Sequence, residues 1–215
     1  MLRPIAYTPG AVLLPRLKPG QHLSTLPRNG RDDEATEIVA SLMQQMKNAN
    51  PPPDVGSVAR LHADFARFRP GGDGVIPLDY VDCAEALFTD LCATQGTQRL
   101  LHGALHHYNV LFDQDLGWVA IDPWGAMGEW EFELGASLRN PIDEMALLQD
   151  PRVIERRLNA YARRLSLDAD RALKWAFATT VLAIRWPVED GFDPRLTRPF
   201  AAAARSMRHL LDRCP

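Results

Sequence analysis

At 215 residues, 46% of them hydrophobic, the chain can bury one good-sized core, and a single domain is the expectation. A formal net charge of −3 and arginines scattered rather than bunched into a basic stripe argue against a nucleic-acid partner. No run of 18 apolar residues occurs and Met1-Leu2-Arg3-Pro4 lacks an apolar signal core, so no membrane partner is expected and the chain reads as soluble and cytoplasmic.

Residues 1–17 read as one strand remnant followed by a connector, Leu13-Leu14-Pro15-Arg16-Leu17. The first helical stripe is Ala35, Ile38, Val39, Leu42, Met43 and Met46, starting after Asp32 and stopping before Pro51-Pro52-Pro53. A second, Val58, Leu61, Phe65 and Phe68, ends at Pro70-Gly71-Gly72, and a third, Tyr80, Cys83, Ala84, Leu87 and Leu91, ends at Gly96. Cys83 and Cys92 fall about 13 Å apart along that third helix, too far for a disulfide, and Cys214 stands alone.

A short β region spans 100–121. Asp113-Gln114-Asp115-Leu116-Gly117 is a good turn sequence, so 109–112 and 118–121 are expected to pair as a hairpin. That pairing brings Asn109 and Asp122 to one end of a two-stranded ribbon. A carboxamide and a carboxylate there suit Mg²⁺, which prefers hard oxygen donors and takes one or two protein ligands together with phosphate oxygens. Helical stripes return over 151–165 and 169–186 and from about 196 to 213, so the fold class is α+β, mainly helical, around a small β-hairpin.

His102-Gly103-Ala104-Leu105-His106-His107-Tyr108-Asn109, followed by Ile121-Asp122-Pro123 and Leu138-Arg139-Asn140-Pro141, resembles the aminoglycoside/hydroxyurea antibiotic resistance kinases. These are the streptomycin 6-phosphotransferase-like relatives of protein kinases. The resemblance extends weakly to Gly10-Ala11-Val12-Leu13-Leu14, Leu17-Lys18-Pro19-Gly20 and Asp32-Asp33-Glu34-Ala35-Thr36. It implies ATP and Mg²⁺ as cofactors and a small molecule with a hydroxyl as acceptor, a cationic aminoglycoside among the candidates. Asn109 and Asp122 become metal ligands, and the backbone around Leu14 and Arg16 becomes the adenine-binding connector, with Pro15 removing one donor. His102 is implied to brace the catalytic loop.

Two departures stand against it. Ala104 occupies the position where the family places the aspartate that accepts the acceptor's proton, and His106 or His107 is the alternative proton acceptor. Ahead of position 104 there is no glycine-rich loop, and neither Lys18 nor Lys47 lies in a strand-like run. The chain therefore reads as 1–20, a strand remnant and interlobe connector, followed by 21–215, a protein-kinase-like C-terminal lobe. Two functional readings follow: a small-molecule phosphotransferase impaired by Ala104, or a degenerate lobe acting as a binding or regulatory protein.

For the acceptor, Trp124 is expected in or near the cleft. Glu129, Glu131 and Asp143, joined by Glu133, Glu144, Glu189, Asp190 and Asp193, are expected to form an anionic pocket, with Trp130 and Phe132 interleaved. Glu133 is implied to support the catalytic loop, and Arg139-Asn140-Pro141 to be mainly structural. The sequence says nothing of oligomeric state.

Overall fold

The computed structural model describes residues 2–67, 75–189, 195 and 197–213, without the side chains of residues 67, 188 and 189. Phe68, Pro70, Gly71, Gly72, Asp190, Asp193, Leu196, Cys214 and the Glu189 side chain lie outside what is described.

The chain opens with a hairpin, β1 (Ala6–Thr8) and β2 (Ala11–Leu13), turned at Gly10 and exposed at every position. The single strand remnant expected here is thus a pair of strands. After an exposed connector through Leu14 and Arg16, β3 (Pro19–His22) joins the molecule's main sheet. A boundary after residue 20 therefore cuts through a strand rather than a connector.

Helices α1 (Thr25–Arg28) and α2 (Asp32–Met46) come next, α2 burying Ala35, Val39, Leu42 and Met43 on one face. Three acidic residues in its first turn complement the positive end of the helix dipole. The second predicted stripe begins as a 3-10 turn, Val58–Leu61, and continues as α3 (His62–Arg67); α4 (Leu78–Ala93) follows the third.

The β region holds four strands: β4 (Arg99–Leu101), β5 (Val110–Asp113), β6 (Gly117–Ala120) and β7 (Ala126–Gly128). The hairpin is β5 with β6, in the expected register. Its turn is closed by the Asp113 carboxylate, which accepts from the amides of Asp115 and Leu116. The other carboxylate oxygen accepts from Lys18 N and so ties β3 to β5, making a three-stranded sheet where two strands are legible in the sequence. β4 pairs with β7, which carries no alternation long enough to announce a strand.

The helical remainder is α5 (Trp130–Leu138), α6 (Met145–Gln149), α7 (Pro151–Leu165), α8 (Ala169–Ala183), α9 (Trp186–Glu189) and α10 (Thr197–Leu211). Asp150 caps α7, with Pro151 at its first position, and Asp168 caps α8. From Leu173 onward α8 is almost wholly buried, with Trp175 edge-on to both Phe88 and Phe132, so α4 and α5 pack around it.

Candidate active site

β4 delivers the chain to His102, and the loop from there to Asn109 leads straight into β5. His102 Nε2 lies 3.0 Å from Ile121 O, and Gly125 N donates to His102 O at 3.1 Å. The loop is thereby pinned to the segment that carries Asp122. Gly103 has a φ of +75°, and a Cβ on it would sit 2.6 Å from Trp124 Cε3. No other residue fits there without moving the indole.

Gly103 N donates to both oxygens of Glu133, at 3.0 and 3.1 Å, so α5 holds the loop from below. Burial pushes the Glu133 carboxyl up to about 7, against the opposing pull of the Gly103, Leu105 and His102 amides and the Arg139 charge. Burial also lowers His102 and His106 to about 4 and holds His107 well below its ordinary range, so all three rings are neutral near pH 7.

Ile121 N donates to Asn109 O at 2.9 Å, which sets Asn109 beside the segment leading to Asp122 at one end of the ribbon. Asn109 Nδ2 donates to Ala104 O at 3.0 Å, while its carboxamide oxygen has no hydrogen-bond partner among the described residues. Asp122 is exposed, in left-handed backbone at φ 56°, with no hydrogen bond or ion pair to another described residue. Two uncommitted hard oxygen donors at a strand end are a chemistry that Mg²⁺ accepts. Among the described residues no group of three or more His, Cys, Asp or Glu gathers to hold a metal.

His106 does not replace an aspartate at 104. A neutral imidazole has one lone pair, and here Tyr108 N approaches Nδ1 at 3.3 Å while Asn109 Nδ2 lies 3.5 Å from Nε2. Whichever ring nitrogen holds the lone pair faces a protein donor, so none is left for an acceptor hydroxyl.

Ala104 opens onto a cavity of about 420 Å³. Trp124, 39% exposed and covered by the Arg60 guanidinium 4.1 Å from its ring centre, forms part of the wall. His106, Phe132, Leu61, Asp64, Arg139 and Trp186 also line it, with Ala136, Thr179 and Leu182. Asp64, Arg139 and Trp186 are wall residues that sequence reasoning missed. Asp64 and Trp186 carry no motif at all, and Arg139 is expected from its motif to be structural.

Among the described residues, Glu129, Glu131 and Asp143 do not gather into one pocket. Glu129 is buried, accepting from Arg171 Nε at 2.5 Å, from Gly96 N at 2.9 Å and from the Trp175 indole. Glu131 receives Asp168 N at 3.4 Å and, with Glu129 and Trp130, lines a second cavity of about 480 Å³ that shares no residue with the first. Asp143 is engaged by Arg28 and accepts from Tyr108 OH at 2.6 Å. The reason is helical geometry: over 129–133 consecutive acidic side chains point in different directions around the axis, and each finds its own partner.

The backbone as a whole has the protein-kinase-like fold. It superposes on the choline kinase LicA from Streptococcus pneumoniae with a TM-score of 0.65 at 10% identity, covering 97% of this chain and 74% of the other. A choline/ethanolamine kinase family protein from Mesorhizobium loti gives 0.60 at 15% identity, covering 95% and 78%. Sequence narrows the class. The family described as aminoglycoside/hydroxyurea antibiotic resistance kinase matches residues 3–191, and the chain belongs to it. It is 30% identical to streptomycin 3''-kinase from Klebsiella pneumoniae over 98% of this chain and 79% of that protein. It is 31% identical to hydroxyurea phosphotransferase from Kitasatospora aureofaciens over 85% of this chain, spanning about half (52%) of that relative. No helix among the described residues is long and apolar enough to cross a membrane.

Proposed function

We propose that the chain is an ATP-dependent phosphotransferase acting on a hydroxyl of a small molecule held in the cavity beside Ala104. The observation that carries this is the pair of uncommitted oxygens, on Asn109 and Asp122, at the strand end next to the loop that opens onto that cavity. Asn109 and Asp122 would hold Mg²⁺, which when bound neutralises charge on the nucleotide phosphates. The connector through Leu14 and Arg16 would carry the adenine.

The protein's own share of the work is positioning. His102 and Glu133 pin the loop, Gly103 lets it pass under Trp124, and the cavity beside Ala104 orients the acceptor. Of the loop residues that line the cavity, neither Ala104 nor His106 offers a free acceptor for the hydroxyl proton. Ala104 therefore favours a second reading, a lobe that binds nucleotide without transferring phosphate.

Mass spectrometry of an acceptor incubated with ATP and Mg²⁺ separates the two. Streptomycin is the first acceptor to try, since relatives are named for it. Ala104→Asp should raise transfer by about 10²–10⁴-fold, the usual worth of a positioned base. Equal transfer by the Ala104 chain and the variant would overturn the role of position 104. No transfer by either, with nucleotide still bound, would leave the non-catalytic reading.

A further inference from the structure

Arg139 is buried, at 6% exposure, at the C-terminal end of α5. Its guanidinium makes no hydrogen bond or ion pair with any described residue; its one close partner is the Trp186 ring, 5.3 Å away. It nevertheless lines the cavity onto which Ala104 opens. Glu133 makes no hydrogen bond or ion pair with Arg139 and acts on it through its field. The other charged wall residue, Asp64, has a partner of its own.

Five N–H donors in a fixed fork, held in a largely buried side chain without a described protein partner, face the cavity and are free to pair with something bound there. An aspartate at 104 would face the same cavity and balance one positive charge. Alanine removes that charge and keeps the arginine.

We propose that this cavity takes an organic ligand with a compact anionic group, a carboxylate or a phosphate, paired with Arg139. The planar fork matches the two oxygens of either group, while Trp124, Phe132, Leu182 and Trp186 offer apolar and aromatic wall for the rest of the molecule. The inference deepens the acceptor-site reading and rests on it for naming the ligand as the acceptor.

The test is a calorimetric titration, without ATP, of benzoate, phenyl phosphate, the neutral benzamide, the cationic benzamidine, acetate and inorganic phosphate. Benzoate or phenyl phosphate should bind about tenfold or more tighter than benzamide, and tighter than the small free anions. Arg139→Met should abolish that preference by removing the cation. Arg139→Lys should retain part of it. Benzamidine binding tighter than benzoate, or benzoate affinity unchanged in the Arg139→Met chain, would overturn the proposal. Acetate or inorganic phosphate binding as well as its aromatic counterpart would overturn the organic ligand. Since no ATP is present, absent phosphate transfer with benzoate binding intact would sink the phosphotransferase reading and not this one.

Discussion

Two buried arginines stand on either side of Asn140 and are treated in opposite ways. Arg157, from α7, is 1% exposed; its Nε and Nη2 reach the Asp32 carboxylate at 2.5–3.2 Å, and its Nη1 donates to Asn140 O at 2.8 Å. Arg139 is nearly as buried and has none of this. Asp32 is held below the ordinary carboxylate range: its burial works against that, and the Arg157 hydrogen bonds and charge outweigh it. The Arg157 pair welds the start of α2 to α7 and to the turn after α5, whereas Arg139 does no comparable structural work. A buried cation saturated by its own protein is architecture. One left unsaturated on a cavity wall points to a ligand.

The largest effect expected from that contrast is at Asp32. Asp32→Ala strands Arg157 without its counter-charge and should cost about 3–5 kcal/mol, read from urea unfolding. A loss below ~1 kcal/mol would show that the network is ornamental.

An intermediate effect is expected from pH. The buried, neutral His102 and His106 contribute stability that is fully present above about pH 6.5 and lost as pH falls toward about 4, and His107, held below its ordinary range by burial, acts in the same direction. Glu133 runs the other way: with its carboxyl raised to about 7, it favours the folded state below about pH 4.5, and that contribution is lost as pH rises through 7. Three imidazoles outweigh one carboxyl, so stability should rise from pH 5 to pH 7. Glu133→Gln removes the opposing slope and should steepen that rise. A chain equally stable at both values would contradict the placement of these rings.

The smallest effect is expected at Arg139. Arg139→Met exchanges an unpaired buried charge for an apolar side chain of similar length and should change stability by no more than about 1 kcal/mol, in either direction. Thermal unfolding of the variant sharpens the comparison, for a cost near that of Asp32→Ala would make Arg139 structural after all.

Much of this architecture is legible in the sequence. The stripes that became α2, α4, α7 and α8 are long enough for a 3.6-residue period to show, and proline or glycine punctuates several of them. The β5–β6 hairpin follows from its turn residues. β3 and β7 are three or four residues long with no alternation to read, and α5 is apolar nearly all round, which hides its period.

The site divides along the same line. Asn109, Asp122 and the loop between Gly103 and Glu133 sit on motifs whose spacing survives folding. The cavity wall is assembled from α3, α5, α8 and α9, and no local pattern connects Asp64 with Arg139 or Trp186. For the acidic residues around Glu129, proximity in sequence was a poor guide, because each one's hydrogen bonding is decided by whichever helix packs against it.

The measurement closest to the central claim is calorimetric titration of ATP, with and without Mg²⁺, into the chain and its Asp122→Asn variant. If Asn109 and Asp122 hold the metal of a nucleotide site, ATP should bind in the presence of Mg²⁺ and weaken by about tenfold or more when Mg²⁺ is withheld or Asp122 is neutralised. ATP affinity indifferent to both changes would contradict the account.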